Sequence, residues 1–243
     1  MAGYTFERAE QKYIISPKKK QALLNDIKDH IVPDSYGRTT IQSIYLDTKD
    51  RRLIRNSMDA EAYKEKLRLR SYGIPSDKDT VFLELKKKYL GTVYKRRESM
   101  SLAEARRYVL NGIIPKDSQI MREIEYSMEL YGRPKPSVLI SCEREAYYEA
   151  TNEDIRITFD TDLRFRTHDL LLEKGSMGTT IFSDGSCILE IKVPSSIPLW
   201  LDKALKRLCI YPSSFSKYKE AYQIIMTEEL YKFSKGDQYV IIF

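Results

Sequence analysis

Histidine and cysteine are scarce in this sequence. His30 and His168 are the only histidines, one at a helix end and one in a polar loop, and both read as surface residues rather than as a base or a metal ligand. Cys142, Cys187 and Cys209 lie far apart and form no CxxC pair. That excludes a zinc knuckle and a disulfide framework, and it points to a reducing, cytoplasmic compartment. No GxSxG elbow supplies a serine nucleophile, and no cysteine has an evident histidine partner. The glycine-rich phosphate loops GxxxxGK[ST] and GxGxxG are missing as well. No apolar run approaches the ~18 residues of a membrane span, and the N-terminus has no apolar signal core. Tyr239 to Phe243 is apolar but too short to be an anchor. There is no internal repeat, low-complexity tract or linker, so residues 1–243 are expected to form a single domain.

What the sequence does hold is charge in a pattern. Lys and Arg number 41 against 35 Asp and Glu, a net charge of +6. Such an excess suits an anionic ligand, whether nucleic acid, lipid or a phosphate chain. Lys66-Leu67-Arg68-Leu69-Arg70 places three cations on one face of a strand and two leucines on the other, because successive strand side chains alternate. Glu84-Leu85-Lys86 and Glu190-Ile191-Lys192 repeat the pattern with a carboxylate two residues ahead of a lysine, and Glu10 precedes Lys12 in the same way.

Strand-like runs dominate: 4–15, 39–46, 62–72, 80–89, 92–97, 137–148, 154–160, 179–182 and 187–193. Ser16-Pro17 starts a helix running to about His30, and Ser101-Leu102-Ala103-Glu104 is a capping box for a ten-residue helix that stops at Asn111-Gly112. Ile120, Ile124 and Met128 mark a helix within 117–131, and two more helices span 199–208 and 215–231. Residues 50–57 read as a polar connection, and Asp160-Thr161-Asp162 as a turn at a strand exit. Eight or nine strands with helices between and after them predict an α+β fold with a largely antiparallel sheet.

The charged faces allow two readings. Turned to water, each ion pair contributes about 0–1 kcal/mol and nothing follows for function. Turned inward, Lys12, Lys66, Arg68, Arg70, Lys86, Lys88, Arg144, Arg156 and Lys192 outnumber Glu10, Glu84 and Glu190, and such an interior is viable only if wet and meant for an anion. The acid-before-lysine pairs favour the second reading. A divalent cation on phosphate oxygens takes one or two carboxylates, and lysine and arginine hold the remaining oxygens.

These residues occur in a recognisable order. Glu10-Gln11-Lys12-Tyr13, Tyr45-Leu46-Asp47, Leu67-Arg68-Leu69-Arg70, Glu84-Leu85-Lys86, Lys95-Arg96-Arg97, Arg144, Ile155 to Asp162, Leu189-Glu190-Ile191-Lys192 and Phe215-Ser216-Lys217-Tyr218 together resemble the VTC domain. That is the catalytic domain of the vacuolar transporter chaperone polyphosphate polymerases, within the CYTH or triphosphate tunnel metalloenzyme superfamily. The resemblance covers nearly the whole chain. It implies an eight-stranded antiparallel β-barrel tunnel with peripheral and C-terminal helices. It further implies a metal-dependent transfer of the γ-phosphate of ATP to a growing polyphosphate chain, with Mn²⁺ or Mg²⁺ as the ion. Carried over by position, Arg68, Arg70, Lys86, Arg156 and Glu190 are the expected catalytic residues. Lys12, Lys66, Lys88, Lys95, Arg97, Arg144, Lys192 and Lys217 are the expected substrate-holding set, and Glu190, Glu84 and Glu10 the candidate metal ligands. ATP, polyphosphate, triphosphate and pyrophosphate are the implied partners, and nucleic acid is not.

The chain lacks the SPX-type regulatory domain and membrane helices of the eukaryotic assemblies, so the resemblance is to a stand-alone, prokaryotic-type member. That leaves room for a membrane partner supplied in trans. Two other functions share the same residues: hydrolysis of a triphosphate or nucleoside triphosphate, and simple polyanion binding. Binding alone requires the cations but not the acids, which makes Glu190 the discriminating residue.

Overall fold

The computed structural model describes residues 9–59, 63–90 and 92–234. In chain order the elements are β1 (Ala9–Ile15), α1 (Pro17–Ile27), β2 (Ile31–Pro33), β3 (Thr39–Asp47), α2 (Arg52–Asp59), β4 (Tyr63–Tyr72), β5 (Thr80–Tyr89), β6 (Thr92–Ser101), α3 (Leu102–Asn111), α4 (Gln119–Leu130), β7 (Lys135–Glu149), β8 (Asn152–Arg166), β9 (Thr179–Thr180), β10 (Cys187–Val193), α5 (Leu199–Arg207) and α6 (Lys217–Ser234). Eight of the strands form one antiparallel path, as the α+β reading requires, and β2 and β9 are short additions to β7 and β8. The positions 4–8 and 239–243 singled out in the sequence lie outside the described residues.

The chain divides into two compact units. In the first, formed by residues 1–40, 142–163 and 180–215, β1, β10 and β8 pair in order. Its apolar side chains Tyr13, Ile15, Ile157, Phe159, Leu189, Ile191 and Val193 share one sheet face and pack on Leu23 and Ile27 of α1 and Leu201, Ala204 and Leu205 of α5. Ser16 caps α1 through its hydroxyl and Pro17 occupies the first turn. The opposite face carries Glu10, Lys12, Arg156, Thr158, Asp160, Glu190 and Lys192 by strict alternation.

The second unit, residues 41–141, 164–179 and 216–243, repeats this layering. Pairing of β3 with β4, β4 with β5 and β5 with β6 gives a meander. Leu67, Leu69, Leu83 and Leu85 pack on Ala105, Tyr108 and Val109 of α3 and Met121, Ile124 and Met128 of α4. The capping box Ser101–Glu104 is formed in full, and Gly112 ends α3 with φ +75°, a conformation glycine adopts without strain. The other sheet face carries Ser43, Tyr45, Lys66, Arg68, Arg70, Glu84, Lys86, Lys95 and Arg97.

Two sequence expectations change here. The stretch 50–57 is a connection only as far as Arg51: α2 begins at Arg52, because Leu53 and Ile54 are buried and the Asp47 carboxylate accepts from the backbone N–H of both. Asp160 to Asp162 is not a strand exit. β8 continues to Arg166, with Asp162 at φ +47° as a local distortion inside the strand.

Candidate functional site: two basic sheet faces

On the β4–β5–β6 face the register lines up Arg68, Glu84 and Arg97 across three strands. Arg68 Nε donates to Glu84 Oε2 at 2.6 Å, Arg97 Nε donates to Oε1 at 2.6 Å, and Lys95 Nζ lies 2.8 Å from Oε1. Glu84 is 1% exposed. Burial alone would raise its pKa, but Arg68, Arg70 and Lys95 overcome that and hold the carboxyl far below its usual range. Arg70 Nε donates to Ser43 Oγ at 3.1 Å, and Lys66 Nζ to Ser216 Oγ at 2.8 Å beside the start of α6.

Two tyrosines complete this face. Tyr45 stacks on Tyr218 at 4.4 Å and its hydroxyl lies 3.4 Å from Arg68 Nη1. Burial opposes its ionisation, yet Arg68, Lys66 and Arg70 bring the phenol down to about 8. Tyr72 OH accepts from Arg97 Nη2 at 3.0 Å. Burial also lowers Lys95 to about 8 even with Glu84 supporting its charge. Lys86 stands opposite Lys95 and Lys66, whereas Lys88 is exposed near the hairpin end, and Lys217 is half-buried in the first turn of α6.

On the β1–β10–β8 face, Lys12 stands opposite Glu190, and Glu190 opposite Thr158. Lys192 Nζ lies 2.8 Å from Glu190 and 3.8 Å from Glu10, so one ammonium is shared by two carboxylates; Lys12 pairs with Glu10 at 3.0 Å. Lys192, Arg144 and Lys12 outweigh the burial of Glu190 and hold it down to about 2. Arg144 grips Asp160 through Nε and Nη2 at 2.6 and 2.7 Å, and Arg156 Nη2 donates to Asp34 at 3.0 Å. The sequence reading left these cations in large excess over Glu10, Glu84 and Glu190. Asp34 and Asp160 reduce that excess; Asp160 shares the face of Arg156 and Thr158 by alternation, whereas nothing in the sequence pattern pointed to Asp34. On this face, among the described residues, Arg156 Nε and the hydroxyl of Thr158, which is 4% exposed, are buried without a partner.

Glu10 and Glu190 fit a single hard divalent cation, because two carboxylates already converge on one ammonium and a phosphate chain would supply further oxygens. No cluster of three or more His, Cys, Asp or Glu exists among the described residues, so protein side chains alone would not complete the coordination. Glu84 differs in being 1% exposed and enclosed by three cations, Arg68, Arg97 and Lys95.

His30 is exposed and stacks on Trp200 at 4.5 Å, and His168 is exposed too. Cys142 and Cys187 are buried and outside any disulfide, and Cys209 is exposed. Among the described residues no helix is long and apolar enough to cross a membrane.

The chain is similar in structure to a candidate adenylate cyclase from Bacillus halodurans, at 14% identity, 85% of this chain, 92% of that one and a TM-score of 0.56, which shows a shared fold. A protein of Pyrococcus horikoshii OT3 aligns at 13% identity over 89% of this chain and 98% of its own, with a TM-score of 0.46. A candidate adenylate cyclase from Vibrio parahaemolyticus aligns at 13% identity over 88% and 97%, with a TM-score of 0.44. No curated protein matches the chain. The family model of the VTC domain matches residues 7–226, and the chain therefore belongs to the VTC domain family.

Proposed function

We propose that this protein is a metal-dependent phosphotransferase that moves the γ-phosphoryl group of ATP onto the end of an inorganic polyphosphate chain. The observation that carries this reading is the pair of buried, unpartnered donors, Arg156 Nε and Thr158 Oγ1, next to Lys192 and Glu190 on a face already rich in cations. A buried donor without a partner costs about 1–3 kcal/mol, and an oxygen-rich anion removes that cost. Membership of the VTC domain family supports the same ligand class.

In this mechanism the attacking group is a terminal phosphate oxygen of the chain, so no enzyme nucleophile is needed. Arg68, Arg70 and Lys86 on one face, and Arg156 on the other, are the cations assigned to the reacting phosphates; Lys66, Lys95, Arg97 and Lys217, and on the other face Lys12, Arg144 and Lys192, hold flanking phosphates. Lys88, at the hairpin end, meets the chain at its periphery. A Mn²⁺ or Mg²⁺ ion held by Glu190 and Glu10 would neutralise charge on bridging phosphate oxygens. Lys192 must release the two carboxylates for that, and a phosphate oxygen is the natural new partner for its ammonium. The protein's contribution is alignment and a fixed array of positive charge around a loose phosphoryl transition state.

The test is incubation with ATP and Mn²⁺ followed by sizing of the products on a gel. Long-chain polyphosphate is expected. Release of free phosphate alone would replace the polymerase with a triphosphate hydrolase, and no turnover with retained polyphosphate binding would leave a polyanion-binding protein.

A further inference from the structure

We infer that Glu84 is a positioning residue, the internal anion that aims Arg68, Arg97 and Lys95 at a phosphate chain, and not a ligand of the divalent cation. The inference rests on the phosphate-binding reading of the β4–β5–β6 face.

Lone-pair capacity is the first argument. A carboxylate accepts through two oxygens, with room for about four donors. Glu84 Oε2 receives Arg68 Nε, and Oε1 receives Arg97 Nε and the Lys95 ammonium. At 1% exposure the side chain has no water shell, although Mg²⁺ dehydrates reluctantly and keeps several waters. Glu10 and Glu190 differ in kind: they are more exposed and two lysines, Lys12 and Lys192, serve the pair, whereas Glu84 alone serves three cations.

The geometry around Glu84 is also what positioning requires. Arg68, Glu84 and Arg97 sit directly opposite one another on three paired strands, so backbone hydrogen bonds fix their spacing. Each arginine is held at a second point: Arg68 near the Tyr45 hydroxyl, and Arg97 by the Tyr72 hydroxyl with its guanidinium 4.6 Å from the Phe82 ring. With Nε given to Glu84, each guanidinium has its inner edge fixed. Arg70 adds a further cation, so four positive groups surround one carboxylate and leave a net excess of three charges. Without Glu84 the four would repel one another and lose their common orientation. A centred anion lets a dense cationic surface exist before any substrate arrives, and it keeps enough excess to bind one.

The test separates the two roles by working without metal. Tripolyphosphate is titrated calorimetrically in EDTA into wild type, Glu84→Gln, Arg68→Ala and the double variant, and Mn²⁺ binding is followed separately by electron paramagnetic resonance. Glu84→Gln is expected to weaken metal-free tripolyphosphate binding about tenfold or more and to leave Mn²⁺ binding unchanged. In the Arg68→Ala background the same substitution is expected to cost clearly less, because a positioning residue acts through its partner. Wild-type tripolyphosphate affinity in Glu84→Gln, or loss of Mn²⁺ binding, overturns the inference. Should Glu84→Gln fail to fold by circular dichroism, Glu84→Asp is read instead. It keeps the charge and shortens the reach, and weakened tripolyphosphate binding with intact Mn²⁺ binding is again expected. If wild type itself binds no tripolyphosphate in EDTA, the phosphate-binding reading of this face falls and this inference falls with it. Binding by wild type that is unchanged in the variants removes the Glu84 role alone.

Discussion

Thr158 and Lys95 show how single side chains report on the ligand. Thr158→Val removes a hydroxyl that has no partner and keeps the shape of the side chain. Thermal stability is expected to stay level or rise, while tripolyphosphate affinity falls several-fold and Thr158→Ser restores it. A variant that binds as wild type does would mean that the hydroxyl meets only water. On the other face, Lys95 and Tyr45 both titrate near about 8 and work in the same direction. As pH rises through that value Lys95 loses its positive charge and Tyr45 gains a negative one beside Arg68. Tripolyphosphate affinity, measured between pH 7 and 9, is therefore expected to fall as pH rises. A flat profile would mean that neither group faces the ligand. At this scale the sequence disclosed the cations, because a period of two assigns them to one face. It did not disclose Tyr72 or Asp34, nor which partners Tyr45 and Asp160 would meet, because those roles depend on which segments pair, and no local pattern encodes that.

Elements were legible where a cap or a period announced them, as with α1 from Ser16-Pro17 and α3 from its capping box. The acid-before-lysine pairs Glu10 with Lys12 and Glu190 with Lys192 close as their spacing suggests, and Glu84 reaches across strands to Arg68, Lys95 and Arg97. The helix α2 was illegible because its residues are mostly polar and its capping group lies back on β3. Asp47 accepts from the backbone N–H of Thr48, Leu53 and Ile54 and from the Tyr218 hydroxyl at 2.7 Å, so one buried carboxylate starts α2 and docks the first turn of α6. Asp47→Ala orphans these donors, and a loss of roughly 2–4 kcal/mol in chemical denaturation is expected from the cap and the buried hydroxyl together. Because Tyr218 also stacks on Tyr45, tripolyphosphate affinity should drop in the same variant. Stability within a few tenths of a kcal/mol of wild type would dismiss Asp47 as the organiser of this corner. Gly178 sets a second limit at this scale. With φ +144° and a Cβ position that would overlap the Phe165 carbonyl oxygen, it excludes any side chain, so Gly178→Ala is expected to lower the melting temperature by several degrees.

At the scale of the whole molecule, each unit covers one sheet face with helices and leaves the other to charge, so the basic faces are part of the fold rather than an addition to it. That arrangement has a cost in acid. Glu84 and Glu190 titrate lower in the folded chain than when unfolded, so their stabilisation is complete above about pH 4.5 and is lost as pH falls toward about 2. It also makes the folded state a receptor for polyanions. An anion that binds only the folded chain adds about 2.7 kcal/mol at one hundred times its Kd. For a chain of this size that corresponds to a rise in Tm of roughly 5–10 °C. Tripolyphosphate is expected to produce that rise where chloride at equal ionic strength does not, since screening alone weakens surface pairs without bridging cations. Hydrogen exchange then reads the units separately, with slowed exchange expected in β4–β6 and in β1, β8 and β10. A rise in Tm with protection confined to one set of strands would restrict the ligand to that unit, and matching melting curves in tripolyphosphate and chloride would reduce both faces to ordinary solvated surface.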